Sequence, residues 1–400
     1  MLTLDTVYKA TTVLADVVRH TSLIHTDKIN PLCDVYLKPE NLQVTGSFKV
    51  RGAGFKISQL SAEEKQRGVI ACSAGNHAQG VALAARRYGI PALICMPAGA
   101  PISKVEATRE LGAEICLVDG VYDDAYRRAL EINAERGMTF IHPFDDEYVI
   151  AGQGSVGMEI LNDLPNLDVV IVPIGGGGLA AGVAFAIKSL KPEVRIVGVQ
   201  AEGAASMATS IGHNQIECLT SVLTIADGIA VKEPGKNTFA LCQQYVDEIV
   251  TVSEDEICAA ILALIEHHKL IAEGAGAVSV AAAMFNKIEL AGKHVCCIVS
   301  GGNIDVTILS RVINRGLMKG GRTTEMLIEM PDRPGSLLGL CNVIVRFGAN
   351  IISVHHERNG ESPDVNSCNL RIVLETRNAD HIHEIHQGIE QAGYYIIQEK

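Results

Sequence analysis

The stretch Thr45-Gly46-Ser47-Phe48-Lys49-Val50-Arg51-Gly52-Ala53 is the most informative segment of this chain of 400 residues. It places Lys49 between a short polar turn and a predicted helix, and the extended run Asp34-Val35-Tyr36-Leu37-Lys38 precedes the turn. Burial of a lysine amine at such a junction lowers its pKa and makes it a nucleophile toward a carbonyl carbon. A lone lysine at a helix start is usually solvated, so the interpretation depends on three further segments.

The first of these segments is Ser73-Ala74-Gly75-Asn76-His77-Ala78-Gln79-Gly80, which follows a predicted strand at 68–72 and opens a helix. We expect Ser73 to cap that helix, whose free N–H groups and dipole suit one carboxylate. The segment is equally compatible with an ordinary strand-to-helix junction that leaves Asn76 and His77 exposed.

The second segment, Gly175-Gly176-Gly177-Gly178-Leu179, follows a predicted strand at 168–174 and precedes a helix of small residues. Consecutive glycines let backbone N–H groups converge on a phosphate. The same residues match the dinucleotide pattern G-x-G-x-x-A, with Glu202 ending the next strand, which leaves a nicotinamide-dependent oxidoreductase as an alternative. That alternative does not explain the lysine segment or the segment at 73–80.

The third segment, Ser300-Gly301-Gly302-Asn303, ends a predicted buried strand at 294–299. Ser300 is suited to bond the pyridine nitrogen of a cofactor whose phosphate lies at the glycine loop. Taken alone, the segment is typical of a turn.

In this order the segments resemble the fold-type II enzymes that use pyridoxal 5'-phosphate (PLP), and they are most similar to the threonine dehydratases (threonine ammonia-lyases). The resemblance covers about residues 5–318. It implies an α/β fold of doubly wound parallel sheets in two subdomains. The matching segments are Lys38-Pro39-Glu40-Asn41, Ser47-Phe48-Lys49-Val50-Arg51-Gly52-Ala53, Asp227-Gly228-Ile229-Ala230-Val231 and the three described above.

The resemblance also assigns roles to individual residues. Lys49 is the expected Schiff-base lysine and general base, and Ser300 is expected at the pyridine nitrogen. Further cofactor contacts are implied for Phe48, Asn76, Gly175, Gly176, Gly177, Gly178, Leu179 and Gly228. The substrate carboxylate is expected near Ser73, Gly75, Asn76 and His77.

A neutral serine at the pyridine nitrogen favours elimination over transamination, because it does not keep the ring protonated. The expected reaction is β-elimination and deamination of L-threonine to 2-oxobutyrate and ammonia, with L-serine giving pyruvate. Serine racemases carry a second serine at the position of Ala74, which here has no proton to give. An L-serine dehydratase, a serine racemase and a non-catalytic amino-acid sensor remain alternatives.

No metal site is expected from the sequence. The histidines at 20, 25, 142, 267 and 268 show no ligand spacing, and the eleven scattered cysteines form no C-x-x-C pair. A monovalent cation held by backbone carbonyls is left open.

After a glycine-rich break at 319–323, the pattern changes to strand 324–330, helix 336–347, strand 350–357, strand 368–375, helix 380–392 and strand 394–398. The order βαββαβ predicts a ferredoxin-like domain and resembles an ACT regulatory module. We expect the loop 332–336 to face the turn at 348–350 and to bind a small allosteric effector through a carboxylate, such as that of a branched-chain amino acid. The alternative effector is a nucleotide monophosphate bound between catalytic domains. The candidate effector residues are Asp332, Gly335, Gly348 and Asn350.

Composition and charge exclude several classes of binding partner and indicate the cellular location. The net charge of −12 argues against nucleic acid and anionic membrane as partners. No apolar run reaches the ~18 residues of a membrane span, and the N-terminus lacks a signal pattern. We therefore expect a cytoplasmic location. A homodimer or homotetramer is expected from the resemblance to the threonine dehydratases. The expected domains are 1–318, with a smaller subdomain at about 45–145, then the linker 319–323 and the ACT-like domain 324–400.

Overall fold

The computed structural model describes residues 2–358 and 366–399. The chain divides into two compact units, residues 1–309 and 310–400. This division falls within the helix Val306–Lys319, ahead of the glycine-rich break at 319–323. Among the described residues, no helix is both long and apolar enough to cross a membrane.

The larger sheet of the first unit has six strands, and all but one neighbouring pair run parallel. Its central strands are buried on both faces, as the runs of Val and Ile require. The fold-class prediction of doubly wound parallel sheets is confirmed here. In spatial order the strands are Ile24–Thr26, Asp34–Lys38, His294–Ile298, Val169–Pro173, Arg195–Ala201 and Glu248–Val252.

The smaller sheet of this unit is formed from one contiguous part of the chain. Its four strands are all parallel, and alanine-rich helices cover it. In spatial order they are Glu114–Val118, Ala92–Pro97, Val69–Cys72 and Thr139–Phe140.

The helices of the first unit fill the gaps between strands, as the alternating pattern predicts. The helix expected at 253–268 changes to a π-helical turn over Leu264–His268. The α-helices are Leu4–Leu14, Lys49–Ser58, Ala62–Arg67, Asn76–Arg87, Ile102–Glu110, Tyr122–Arg136, Glu147–Asp163, Gly178–Leu190, Ser206–Gly212, Lys236–Tyr245, Glu254–Ala263, Gly274–Met284 and Val306–Lys319.

A buried ionic network fixes the helix that begins at Lys49. The guanidinium of Arg51 is fully buried and donates to both carboxylate oxygens of Glu40, at 2.7 and 2.8 Å. Two of its remaining three N–H groups donate to Glu159 at 2.6 and 2.9 Å, and Lys38 donates to the same carboxylate at 2.6 Å. Bidentate pairs of this kind hold both partners in one orientation. Lys49 is therefore anchored from two residues further along its own helix.

The second unit carries a four-stranded antiparallel sheet with the order of a ferredoxin-like βαββαβ domain, which confirms that prediction. Two helices, Ser336–Arg346 and Ala379–Gln391, pack on one face of the sheet. In spatial order the strands are Asn350–Glu357, Ser367–Glu375, Thr323–Pro331 and Tyr395–Glu399.

The expectation that loop 332–336 faces the turn at 348–350 is wrong. Asn350 and Thr323 both pair with Glu375, whereas Pro331 pairs with Ser367 at the other end of that strand. The turn therefore lies level with the start of strand Thr323–Pro331, and the loop follows its end. Within one domain, Asp332 and Gly335 are separated from Gly348 and Asn350 by the length of the sheet.

Candidate active site

Lys49 is the first residue of its helix, and its amine lies in a low-dielectric environment. Nζ donates to the backbone carbonyl of Pro143 at 2.9 Å and lies 5.3 Å from the ring centroid of Phe48. Burial lowers the pKa of Lys49 to about 8, although the negative charge of Glu273 opposes the shift. A larger fraction of the Lys49 amine is therefore neutral, and so nucleophilic, than in an exposed lysine at the same pH. The sequence predicts this lowered pKa.

Residues 142–145 connect the lysine to the glycine loop. The Pro143 carbonyl accepts the hydrogen bond from the Lys49 amine, and the next residue, Phe144, packs directly against Gly176 and Gly178. The Asp145 carboxylate accepts backbone N–H groups at the start of helix Lys236–Tyr245, at 2.9 to 3.1 Å. This segment thereby fixes the position of the Lys49 amine relative to the glycine loop.

The tetraglycine loop is crowded by the protein itself. A Cβ atom at Gly176 would lie 2.5 Å from the Phe144 ring, and one at Gly178 would lie 2.9 Å from the Phe144 backbone. Gly177 adopts a φ of +97°, and the Thr238 hydroxyl donates to the carbonyl of Gly176 at 2.6 Å. Helix Gly178–Leu190 begins here, so its unpaired N–H groups are available to bind an anion.

The segment at 73–80 forms the second helix N-terminus of the site. The helix begins at Asn76 with Gly75 at the N-cap, and the Ser73 hydroxyl accepts from the Gly75 N–H at 3.1 Å. Ser73 therefore orders the preceding loop and does not cap the helix, which corrects the sequence-based expectation. His77 donates to the Ile141 carbonyl at 2.8 Å, and burial together with the Lys49 charge lowers the pKa of His77 to about 3.

A buried carboxylate, Glu273, completes this side of the site. Asn76 donates to it at 2.6 Å and in turn accepts from Asn303 at 2.7 Å. Burial, reinforced by the negative charge of Asp227, raises the pKa of Glu273 to about 7. Asp227 is held in place by Lys104 at 2.7 Å. Glu273 can therefore exchange a proton near neutral pH.

Ser300 and Gly228 lie at the edges of the same cluster. The Ser300 carbonyl accepts from the backbone N–H of Phe48 at 3.1 Å, and its hydroxyl donates to the Ala275 carbonyl at 3.2 Å. A serine hydroxyl has one hydrogen, so donation to a ring nitrogen requires release of Ala275. A Cβ at Gly228 would lie 3.9 Å from the amide nitrogen of Asn76.

The residues present fit a phosphate-bearing aldehyde cofactor such as PLP. A buried lysine amine, a helix N-terminus preceded by glycines and a neutral hydroxyl converge on one site. The Ser47 hydroxyl beside them is also buried and has no hydrogen-bond partner among the described residues. The candidate residues at 48, 49, 73–77, 175–179, 228 and 300 thus belong to one region of the first unit.

Sequence reasoning missed four contributors to this region: Pro143, Phe144, Asp145 and Glu273. The first three lie in a loop without a recognisable motif, and His142 beside them shows no ligand spacing in the sequence. Glu273 carries one signal, because it precedes the small-residue helix Gly274–Met284. An acidic residue at a helix start is too common to identify a site.

Comparison with known proteins defines the class to which this arrangement belongs. A family profile described as "Pyridoxal-phosphate dependent enzyme" matches residues 14–301. The chain belongs to this family of pyridoxal-phosphate dependent enzymes.

Individual relatives are more specific. The chain is 48% identical to an L-threonine ammonia-lyase of Thermotoga maritima over 398 residues, 99% of each chain. Among solved structures, threonine deaminase isoform 2 of Solanum lycopersicum is 40% identical, with a TM-score of 0.74, and covers 78% of this chain and 93% of its own. Maize serine racemase is 35% identical, with a TM-score of 0.75, over 79% and 98%.

Proposed function

We propose that this protein is a PLP-dependent threonine ammonia-lyase, which converts L-threonine to 2-oxobutyrate and ammonia. The observation that carries the proposal is the buried Lys49 amine beside the crowded glycine loop, within a chain that aligns along 99% of its length with an L-threonine ammonia-lyase. Bound PLP supplies an aldehyde that reacts with amines and a ring that withdraws electrons from the substrate Cα.

The residues of the chain divide the work around that group. The N–H groups of Gly175 to Gly178 and of Leu179 would hold the phosphate, and the helix that begins at Asn76 would receive the substrate carboxylate. Lys49 removes the α-proton, because its lowered pKa leaves a neutral fraction at neutral pH. The α-proton and the β-hydroxyl leave together as water and give an enamine. The enamine tautomerises to an imine, whose hydrolysis releases 2-oxobutyrate and ammonia.

Ser300 supports elimination because it presents a neutral hydroxyl and no carboxylate. Phe48 packs against the core of the larger sheet and positions the backbone next to Ser300. We expect L-serine to be converted to pyruvate by the same groups. We expect little racemisation, because Ala74 lies in the loop where a proton donor is needed.

The regulatory part of the proposal concerns the second unit. We propose that the protein is a homo-oligomer whose ACT-like domain binds a branched-chain amino acid as effector. In the alternative scheme, a nucleotide monophosphate binds between catalytic domains. The corrected geometry assigns Asp332 and Gly335 to one end of the domain, and Gly348 and Asn350 to the other. A cytoplasmic location fits eleven free thiols, all within the described residues.

The test is the Lys49→Ala variant of the full-length protein, with Lys56→Ala on the same helix as the matched control. We expect Lys49→Ala to abolish 2-oxobutyrate formation and the covalent link to PLP, detected by mass after borohydride reduction. Lys56→Ala should retain both. Turnover by Lys49→Ala at the rate of the control would show that another group carries the chemistry.

A further inference from the structure

The second unit brings together three side chains that are widely separated in sequence. The Asp332 carboxylate, the His356 imidazole and the Cys368 thiol each place one ligand atom within 4.8 Å of the other two. His356 Nε2 lies 3.0 Å from Cys368 Sγ. Among the described residues this is the group of His, Cys, Asp and Glu atoms that is close enough to hold a metal ion.

The sheet register explains why these residues meet. Cys368 pairs with Met330, and His356 pairs with Leu370, which is two residues beyond Cys368 on the same strand. Because alternate residues of a strand share a face, His356 and Cys368 lie on one face of the sheet. The Asp332 N–H continues the ladder to Asn366 at 2.8 Å and so brings the Asp332 carboxylate to the same end.

The three donors have the chemistry of a transition-metal site. Thiolate and imidazole are the preferred ligands of zinc, and a carboxylate is a common third ligand of zinc sites that keep an open position. Hard cations such as Mg²⁺ and Ca²⁺ would instead require a cage of oxygen atoms. Cys368 is fully buried, whereas His356 and Asp332 are exposed, so an ion can enter from solvent.

Neighbouring charged groups affect the protonation of the Cys368 thiol and the availability of the Asp332 carboxylate. Burial and the neighbouring Asp332 raise the pKa of the Cys368 thiol, so the metal must displace a proton. Arg358 pairs with one Asp332 oxygen at 3.1 Å, which leaves the second oxygen for a ligand bond. The Cys368 thiol also donates a weak hydrogen bond to the Met330 carbonyl at 3.5 Å.

We propose that Asp332, His356 and Cys368 bind one divalent transition-metal ion of the zinc class, with a fourth position open to water or another ligand. The site lies in the second unit and takes no part in the PLP chemistry. It joins the loop after strand Thr323–Pro331 to the edge strand Asn350–Glu357. A metal bound there stabilises the end of the domain that precedes helix Ser336–Arg346.

The test uses the full-length holoenzyme, treated with chelator and titrated with Co²⁺, whose visible bands report tetrahedral thiolate ligation. Variants Cys368→Ser and His356→Gln remove one ligand each. Matched controls are Cys341→Ser in the same domain and His355→Gln on the same strand. Because His356 is exposed, His356→Gln remains informative even if the buried Cys368→Ser change impairs folding.

We expect one Co²⁺ per chain with thiolate bands, displaced by Zn²⁺ and bound more tightly as pH rises. Each ligand variant should lose at least the roughly 10- to 100-fold in affinity that outer-sphere changes alone cost, whereas both controls should keep native affinity. Absence of the bands from the native protein, or their persistence in His356→Gln, would overturn the proposal.

Discussion

The two helix N-termini of the site, at Gly75 and at Gly175–Gly178, use glycine for different reasons. At the second, every added Cβ would meet protein, including the Phe144 ring at 2.5 Å and the Ile229 Cα at 2.9 Å. At Gly75, an added Cβ would meet nothing within 4 Å. The fold itself requires the four glycines, whereas the space beside Gly75 is free for a ligand. A motif shared by a family can therefore record packing in one place and binding in another.

The largest expected effect that tests this contrast is that of Gly178→Ala on stability. Alanine usually stabilises a helix relative to glycine by up to about 1 kcal/mol, but here its methyl would meet the Phe144 backbone. We expect a net loss of about 1–3 kcal/mol, measured by thermal and urea unfolding. The control is Gly212→Ala at the end of helix Ser206–Gly212, where a Cβ meets nothing within 4 Å. Equal stability of the two variants would contradict the packing explanation.

Gly75→Ala should give the opposite pattern, with little change in stability and a clear change in catalysis. We expect the free energy of unfolding to stay within about 0.5 kcal/mol of native. The KM for L-threonine should rise about 10-fold, since one methyl group in a binding pocket is worth about 1–3 kcal/mol. Steady-state kinetics measure this change, and an unaltered KM would place the substrate elsewhere.

Glu273→Gln tests the helix N-terminus at Asn76, where Glu273 accepts a hydrogen bond. The change removes a charge and keeps an oxygen that can accept the Asn76 N–H. The Glu273 charge raises the pKa of Lys49, which is about 8. Without that charge the amine loses its proton at lower pH. The rate of PLP capture by the apoprotein, which needs the neutral amine, should then reach half its maximum about one pH unit lower. A shift to higher pH would show that the two groups are not coupled as described.

Ser73→Ala should have the smallest effect, because it removes only the acceptor for the Gly75 N–H in a half-buried loop. We expect a loss of about 0.5–1 kcal/mol in stability, measured by urea unfolding. Ser73→Thr, which keeps the hydroxyl, is the control and should restore most of that loss.

The parts of this molecule that were predictable from sequence are those with a strong local period or a dense motif. Buried strands such as Val169–Pro173 are continuous apolar runs, and glycine clusters mark the turns that follow them. The contribution of Phe144 was not predictable, because its role depends on its contact with the glycine loop, which is distant in sequence. The separation of Gly335 from Gly348 follows from the βαβ connection, because helix Ser336–Arg346 carries the chain back between two parallel strands. The meeting of His356 and Cys368 depends instead on strand register, which local sequence does not report.

The order of the larger sheet has a consequence for the protein while it is being synthesised. Strand Asp34–Lys38 pairs with His294–Ile298, which lies far along the chain. Arg51 pairs with Glu159, which is synthesised 108 residues later. At about 5–20 residues per second, the ribosome delivers that partner only after several seconds. The contiguous sheet within 69–140 can assemble during this interval. The larger sheet can close only later, when strand His294–Ile298 emerges and pairs with Asp34–Lys38.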